Sequence, residues 1–352
     1  MPTTSKAWGV TSADSSVAPT EIQRRDLRPE DVAITISHCG ICHTDLHFAH
    51  NDWGMSQYPM VPGHEIVGTV SAVGSGVTRY KPGDRVGVGC LVDSCGKCEY
   101  CTAGQVQFCV EMPTFTYNSP DRQSGEITFG GYSDRIVVRE EFVCRIPDDI
   151  DFAHAAPLLC AGITTYAPLK RWGIKSGDKV AVAGLGGLGH MTVKLAKAMG
   201  AEVTVLTTSP EKSDAARKNG ALDVVISTDA EAMQKASGRF SLVVDTIPVS
   251  HDIQPYIDLL RPNGTMIVLG ALAPLPGING FNLIFGNRAV AGSIIGGLPE
   301  TQEMLDFCAR NGIVPDIELI PTEQINNAWE TLARGDVAHR YVIDMASDAG
   351  GA

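Results

Sequence analysis

KVAVAGLGGLGHMTVKLAKAMG, residues 179–200, holds a strand, a glycine turn and a helix in sequence. KVAVAG is a short apolar run, the pattern of a strand buried on both faces. HMTVKLAKAM has helical spacing of its apolar residues and stops at Gly200, a natural C-cap. Between them Gly184, Gly186 and Gly189 spell G-x-G-x-x-G, with Leu185, Gly187 and Leu188 filling the turn. Alone that pattern is weak. After a strand and before a helix it is the dinucleotide-binding fingerprint. Gly184 permits the tight turn, Gly186 lets backbone approach a pyrophosphate, and Gly189 lets helix and strand pack closely. The pyrophosphate then meets the free N–H groups of the helix start. The competing reading is a glycine-rich turn that holds no ligand.

Downstream the same texture repeats. EVTVLTT is a strand, PEKSDAARKNG a helix ending on Gly220, and DVVIS, FSLVVDT and TMIVLG are further strands. Strands alternating with short helices mean parallel βαβ units. AVAGSII, residues 289–295, reads as one more strand. At the end of the second strand an NAD site carries an Asp or Glu for the ribose hydroxyls. Here that place reads VLTTSPEK: Thr207, Thr208 and Ser209 are neutral hydroxyls and Lys212 follows. With no carboxylate there to repel a 2′-phosphate, NADP is favoured over NAD. Glu211 spoils a clean basic pocket, and an ST-rich turn capping a helix is the plainer reading.

Upstream, the first 150 residues or so hold short β-branched runs cut by glycine and proline: DVAITISHCG, VGTVSAVG, DRVGVG and SDRIVV. These predict a mostly β, partly barrel-like domain. At the other end, ETQEMLDFCARNG and EQINNAWETLARG read as amphipathic helices and RYVIDM as a strand, expected to pack back onto the N-terminal domain. A chain of 352 residues with 44% hydrophobic content suits two domains with sizeable cores. Its net charge of −12 argues against nucleic acid or anionic membrane as partner. The N-terminus MPTTSKAWGV lacks an apolar signal core, so the expectation is a cytoplasmic protein. The uncharged stretch from Pro262 to Asn287 is broken by prolines, glycines and asparagines, so it reads as strands and loops rather than a membrane span.

Four of the ten cysteines cluster in CLVDSCGKCEYCTAGQVQFC: Cys95, Cys98, Cys101 and Cys109. Four thiolates around one tetrahedral Zn2+ leave no open position, so such a site is structural. An iron–sulfur run of the bacterial ferredoxin type would have another last spacing and a following proline, and residue 110 is Val. Disulfides fit poorly with a reducing compartment.

With these pieces in order, the sequence resembles the zinc-containing medium-chain dehydrogenase/reductase family, and within it the cinnamyl alcohol dehydrogenase branch of NADP-dependent alcohol dehydrogenases. The resemblance spans nearly the whole chain. It rests on GICHTDLH, PGHEIVG, the four-cysteine lobe, LLCAGITTY and GLGGLGH, in that order. It implies an α/β fold: a GroES-like, mostly β catalytic domain (1–155 and 293–352) and a Rossmann doubly wound parallel sheet (156–292).

Residue by residue, Cys42, His64 and Cys160 match the catalytic zinc ligands, leaving a fourth position for water or substrate. Glu65 matches a carboxylate able to approach the metal transiently, and Asp45 a partner for His64. Thr44 matches the hydroxyl that passes on the alcohol proton, and His47 the solvent end of that relay. Thr164 matches a residue beside the nicotinamide. Phe48, Trp53, Met55, Cys90, Phe115, Ile294 and Ile295 are candidates for an apolar substrate wall, though each could equally be plain core. Cys39 and Cys42 also show a C-x2-C spacing, but nothing thioredoxin-like surrounds it. Cys39, Cys144 and Cys308 read as small core residues. The stretch FTYNSPDRQSGEITFGGYSD, residues 115–134, resembles the corresponding stretch of the family, whose length and content differ between relatives, so substrate specificity cannot be carried over from it.

The implied activity is hydride transfer between NADP(H) and primary alcohols or aldehydes, aromatic or medium-chain, with two zinc ions per chain and a homodimer or tetramer. The alternatives are an NAD-dependent alcohol or polyol dehydrogenase on the same scaffold, and a non-catalytic nucleotide-binding relative.

Overall fold

The computed structural model describes residues 3–270, 274–335, 337 and 339–346. Thr3–Gly9 (β1) and Ala18–Arg24 (β2) form an antiparallel ribbon. Asp31–Gly40 (β3) is the spine of the first sheet; Val32, Ile34 and Ile36 are buried on it while Thr35 is exposed, the alternation of a half-buried strand. His43–Ala49 (α1) follows directly. Ile66–Val73 (β4) and Arg85–Val88 (β5) continue the sheet antiparallel. Leu91–Asp93 (β6), Glu99–Thr102 (α2) and Thr114–Phe115 (β7) frame the cysteine lobe. Arg135–Arg139 (β8) pairs with β3, and Cys144–Arg145 (β9) with β5. Phe152–Ala155 (α3) leads through a 3-10 turn at Ala156–Leu159 into Ala161–Arg171 (α4).

Lys179–Ala183 (β10) opens the second sheet, followed by Gly187–Ala198 (α5) and Glu202–Thr207 (β11). The helix expected over PEKSDAARKNG begins as a 3-10 turn, Pro210–Lys212, and becomes Ser213–Asn219 (α6). It ends where Gly220 takes φ +111°, a left-handed value that glycine adopts without steric cost. Asp223–Ile226 (β12), Ala230–Ala236 (α7), Phe240–Asp245 (β13), Gln254–Ile257 (α8) and Leu260–Val268 (β14) continue the alternation. Gly280–Gly286 (α9) and Ala289–Gly292 (β15) complete it. All six strands are parallel, in the order β12-β11-β10-β13-β14-β15. The order reverses between β10 and β13, the switch point where doubly wound sheets bind nucleotides. Helix α9 lies inside the uncharged stretch that read as strands and loops. Asn279 caps it by accepting the Phe281 N–H.

The chain then returns to the first sheet. Leu298–Asn311 (α10), Ile317–Ile320 (β16) and Ile325–Arg334 (α11) precede Arg340–Asp344 (β17). β17 pairs antiparallel with the end of β3, Ile343 opposite Cys39, as expected for a tail that packs on the N-terminal sheet. By contacts the chain divides into Met1–Ile163 with Gly296–Ala352, and Thr164–Ile295. Among the described residues no helix is long and apolar enough to cross a membrane.

Candidate active site

Three chain segments bring four donor groups together. Cys42 is the residue preceding α1, His64 and Glu65 precede β4, and Cys160 ends the 3-10 turn before α4. One donor atom from each of Cys42, His64, Glu65 and Cys160 lies within 4.8 Å of all the others. The Cys42 and Cys160 sulfurs are 3.9 Å apart. Two facing buried thiols cannot both ionise without a cation between them. Each therefore moves the other, Cys42 well down and Cys160 well up.

His64 is buried, and its Nε2 has no hydrogen-bond partner. Its Nδ1 lies 3.4 Å from Asp45 Oδ1. Burial disfavours a charge on this ring, yet the negative surroundings of Cys90 and Asp45 raise its pKa well above the usual value. The spot thus favours a positive charge. An unpartnered imidazole nitrogen, two thiols and a carboxylate around such a spot are the donor set of Zn2+.

Asp45 organises this end of α1. It is fully buried and accepts the Cys42 N–H (2.9 Å) and the Gly63 N–H (3.1 Å). Glu65, also fully buried, pairs through Oε1 with the Arg340 guanidinium, while its Oε2 has no partner. Burial pushes its carboxyl up to about 8 against the opposing pull of Arg340. Gly40 makes room for it: a Cβ there would come within 1.9 Å of Glu65 Oε2. Arg340, hidden in the strand-like run RYVIDM, has no local sequence signal.

Thr44 and His47 sit three residues apart on α1, a spacing that shares one helix face. The Thr44 hydroxyl is 3.5 Å from Cys42 Sγ. His47 is partly exposed, and its Nδ1 lies 2.7 Å from Asp52 Oδ2. Phe48 packs edge-on against Trp53 and Tyr117, at 5.0 and 5.5 Å between ring centres. Tyr117, which the sequence reading passed over, stacks on His64 at 5.8 Å. Cys90 is half-buried, and the facing Cys160 draws its thiol down to about 6 despite burial. Phe115 is half-buried in β7. Met55 and Ile294 are 60% and 50% exposed in the isolated chain, and Ile295 takes φ +23°.

The second metal-ligating group is Cys95, Cys98, Cys101 and Cys109, again with sulfurs within 4.8 Å of one another. The Cys95 N–H points to Cys109 Sγ and the Cys98 N–H to Cys95 Sγ, both at 3.4 Å. Amides aimed at sulfur favour thiolates. The Cys101 N–H and neighbouring groups lower the Cys98 thiol to about 6.

In the second unit, Gly184 takes φ +88°, and a Cβ on Gly189 would lie 2.2 Å from the Gly184 carbonyl oxygen. No side chain caps the start of α5 at Gly186, and a Cβ there would meet nothing within 4 Å. Free amides, a helix N-terminus and open space beside the turn fit a pyrophosphate. Leu185 is buried while Gly187 and Leu188 are half-buried, and Thr164 is half-buried on α4. At the end of β11 Thr207 is buried and its Oγ1 accepts the Ser209 N–H (3.1 Å). Thr208 is exposed, and Ser209 and Lys212 partly so.

Comparison with known proteins agrees with this chemistry. Residues 28–148 match the alcohol dehydrogenase GroES-like domain family and residues 187–310 the zinc-binding dehydrogenase family. The aldehyde reductase YahK of Escherichia coli is 52% identical over 342 residues, covering 96% of this chain and 97% of that one. NADP-dependent alcohol dehydrogenase C 1 of Mycolicibacterium smegmatis is 49% identical over 345 residues, covering 98% and 99%. The crystal structure of a cinnamyl alcohol dehydrogenase from Helicobacter pylori with NADP(H) superposes with a TM-score of 0.92 at 42% identity, over 98% and 99% of the two chains.

Proposed function

The chain belongs to the zinc-containing medium-chain dehydrogenase/reductase family, in its cinnamyl alcohol dehydrogenase-like branch, and from that premise we propose that it is an NADP(H)-dependent alcohol dehydrogenase working mainly as an aldehyde reductase. The observation that carries this reading is the buried quartet Cys42, His64, Glu65 and Cys160, with His64 Nε2 and Glu65 Oε2 unpartnered.

When bound, the zinc supplies a Lewis acid for the substrate oxygen, and the nicotinamide supplies or takes the hydride. Cys42, His64 and Cys160 are its ligands in this reading. Asp45 receives the His64 Nδ1–H and so turns the Nε2 lone pair towards the donor set. Glu65 is held at Arg340 and stands ready beside the ligands. Thr44 passes the alcohol proton on, and His47, with Asp52 at its Nδ1, exchanges it with solvent. Cys95, Cys98, Cys101 and Cys109 hold the structural zinc. Gly184, Leu185, Gly186, Gly187, Leu188 and Gly189 cradle the pyrophosphate, and Thr164 serves the nicotinamide end. Thr207, Thr208, Ser209 and Lys212 receive the 2′-phosphate, and the Thr207 hydroxyl also accepts the Ser209 N–H.

The rings of Phe48, Trp53 and Tyr117 support an aromatic or medium-chain aldehyde as substrate, with Cys90, beside Cys160 and His64, and Phe115 as further residues of the wall. The reading includes a cytoplasmic homodimer joined through the nucleotide-binding units. Its support is α9, where Phe281, Ile284 and Phe285 are each at least 60% exposed.

Initial rates of cinnamaldehyde reduction with NADPH and NADH at equal concentration test the proposal. A strong rate with NADPH and little with NADH supports it. A preference for NADH overturns the cofactor assignment. Inactivity with both, in protein shown to hold two zinc ions, overturns the substrate class.

A further inference from the structure

Asp45 accepts two more contacts besides the backbone amides of Cys42 and Gly63. One is His64 Nδ1, at 3.4 Å from Oδ1. The other is the Tyr132 hydroxyl, which donates to Oδ2 at 3.2 Å. Two of these contacts reach each carboxylate oxygen: the Gly63 N–H and His64 Nδ1 at Oδ1, the Cys42 N–H and the Tyr132 hydroxyl at Oδ2. Tyr132 in turn accepts the indole N–H of Trp329, at 3.4 Å. A single line of contacts therefore runs Trp329, Tyr132, Asp45, His64, from α11 to the candidate metal ligands.

The Tyr132 end of this line has little freedom. Its side chain is fully buried. Its N–H donates to Pro62 O (3.0 Å), and its carbonyl accepts the Trp8 N–H (2.8 Å). A Cβ on Gly63 would lie 2.6 Å from Tyr132 Cδ1, so the ring is pressed against the backbone just before His64. Trp329 is 6% exposed, and its ring lies 6.3 Å from that of Tyr132. A hydroxyl fixed this firmly holds the plane of the Asp45 carboxylate. Asp45 then fixes both the tautomer and the tilt of His64.

We propose that Tyr132 is a positioning residue for the catalytic metal, oriented by Trp329 and acting through Asp45 on His64. The inference rests on the reading of Cys42, His64 and Cys160 as the metal site. It adds two residues whose ring packing and hydroxyl or indole function can be separated. Tyr132→Phe keeps the buried ring and removes the hydroxyl. Trp329→Phe keeps an aromatic ring on α11 and removes the N–H.

The test follows zinc release from the two-zinc enzyme to a chromogenic chelator, with the Co2+-substituted enzyme as a spectroscopic partner. Loss of the direct partner of a metal ligand typically weakens the site about 10–100-fold, and Tyr132 stands one contact further out. The expected result is that Tyr132→Phe speeds one release phase by about 10-fold, the low end of that range, and leaves the cysteine-lobe phase unchanged. Its Co2+ absorption bands move, and kcat for aldehyde reduction falls while KM holds. Trp329→Phe acts in the same direction but less. The double variant releases metal no faster than Tyr132→Phe alone, because both act through one line. Wild-type release rates and Co2+ spectra in both single variants overturn the proposal, and so does equal acceleration of both phases, which marks general loosening. Should Tyr132→Phe not fold, Trp329→Phe alone decides by the same two readouts. If the wild-type enzyme binds only one zinc, in the cysteine lobe, the metal-site reading itself fails, and the proposal with it.

Discussion

Glu65 and Arg340 form a buried ion pair beside the candidate metal ligands, Glu65 0% and Arg340 6% exposed by side chain. They are 275 residues apart in the chain, joined because β17 returns to pair with β3. The pair gives the carboxylate a resting place from which Oε2 remains unpartnered. Breaking such a pair from one side strands the other charge in a medium that solvates it poorly. Arg340→Met should lower stability by about 3–5 kcal/mol, the usual cost of an orphaned buried charge. Glu65→Gln combined with Arg340→Met should recover most of that loss. Chemical denaturation of the zinc-loaded proteins measures both. A loss below 1 kcal/mol for Arg340→Met would show the pair to be loosely held.

The cysteine lobe is a closed tetrahedral donor set, so its metal orders a loop rather than meeting substrate. Cys98→Ser should reduce zinc from two ions to one per chain and expose residues 95–109 to proteolysis. The kcat of freshly prepared protein should change little, while the half-life at elevated temperature shortens. Metal analysis and thermal inactivation check this. An immediate loss of kcat with half-life preserved would give this lobe a direct part in the chemistry.

Lys212 is the one cation in the turn after β11, a turn that also holds the exposed Thr208. A charge-assisted bond to a phosphate contributes about 1.5–3 kcal/mol, or roughly 10–100-fold in affinity. Lys212→Ala should therefore raise KM for NADPH by that factor and leave KM for NADH unchanged. Thr208→Asp should favour NADH by repelling the 2′-phosphate. Equal weakening of both cofactors by Lys212→Ala would remove the residue from the phosphate site.

How legible each feature was follows from how local its cause is. β10 to β14 read as apolar runs because a parallel sheet covered on both faces needs continuous hydrophobic strands. Gly184, Gly200 and Gly220 were legible because their positive φ values suit glycine. Helix α9 escaped because FNLIFG carries no charge to mark a polar face. Asn279, its cap, was the available signal. The metal ligands came from a resemblance of ordered motifs, since no spacing law brings Cys42 near Cys160. Arg340, Tyr132 and Trp329 stayed hidden because their meaning lies in strands and helices that meet only in the folded chain.

Asp121 anchors the loop between β7 and β8, the same loop that carries Tyr117. Its carboxylate takes two bonds from Arg28, at 2.8 and 3.1 Å, and the amides of Gln123 and Ser124, both at 2.9 Å. Burial pushes this carboxyl up, but the Arg28 pair and the two amides outweigh it and hold the pKa well below the usual range. A carboxylate depressed in the folded state stabilises the protein above its unfolded pKa of about 3.9, and that contribution fades as pH falls towards the folded value. Asp121→Asn should thus cost on the order of 1–3 kcal/mol at pH 7 and about the same at pH 5. The difference from wild type should shrink steadily below about pH 4. Guanidinium denaturation of both proteins at pH 7, 5 and 3 measures it. A difference that stays constant across all three would mean that the cost of Asp121→Asn comes from lost packing of the loop rather than from its charge.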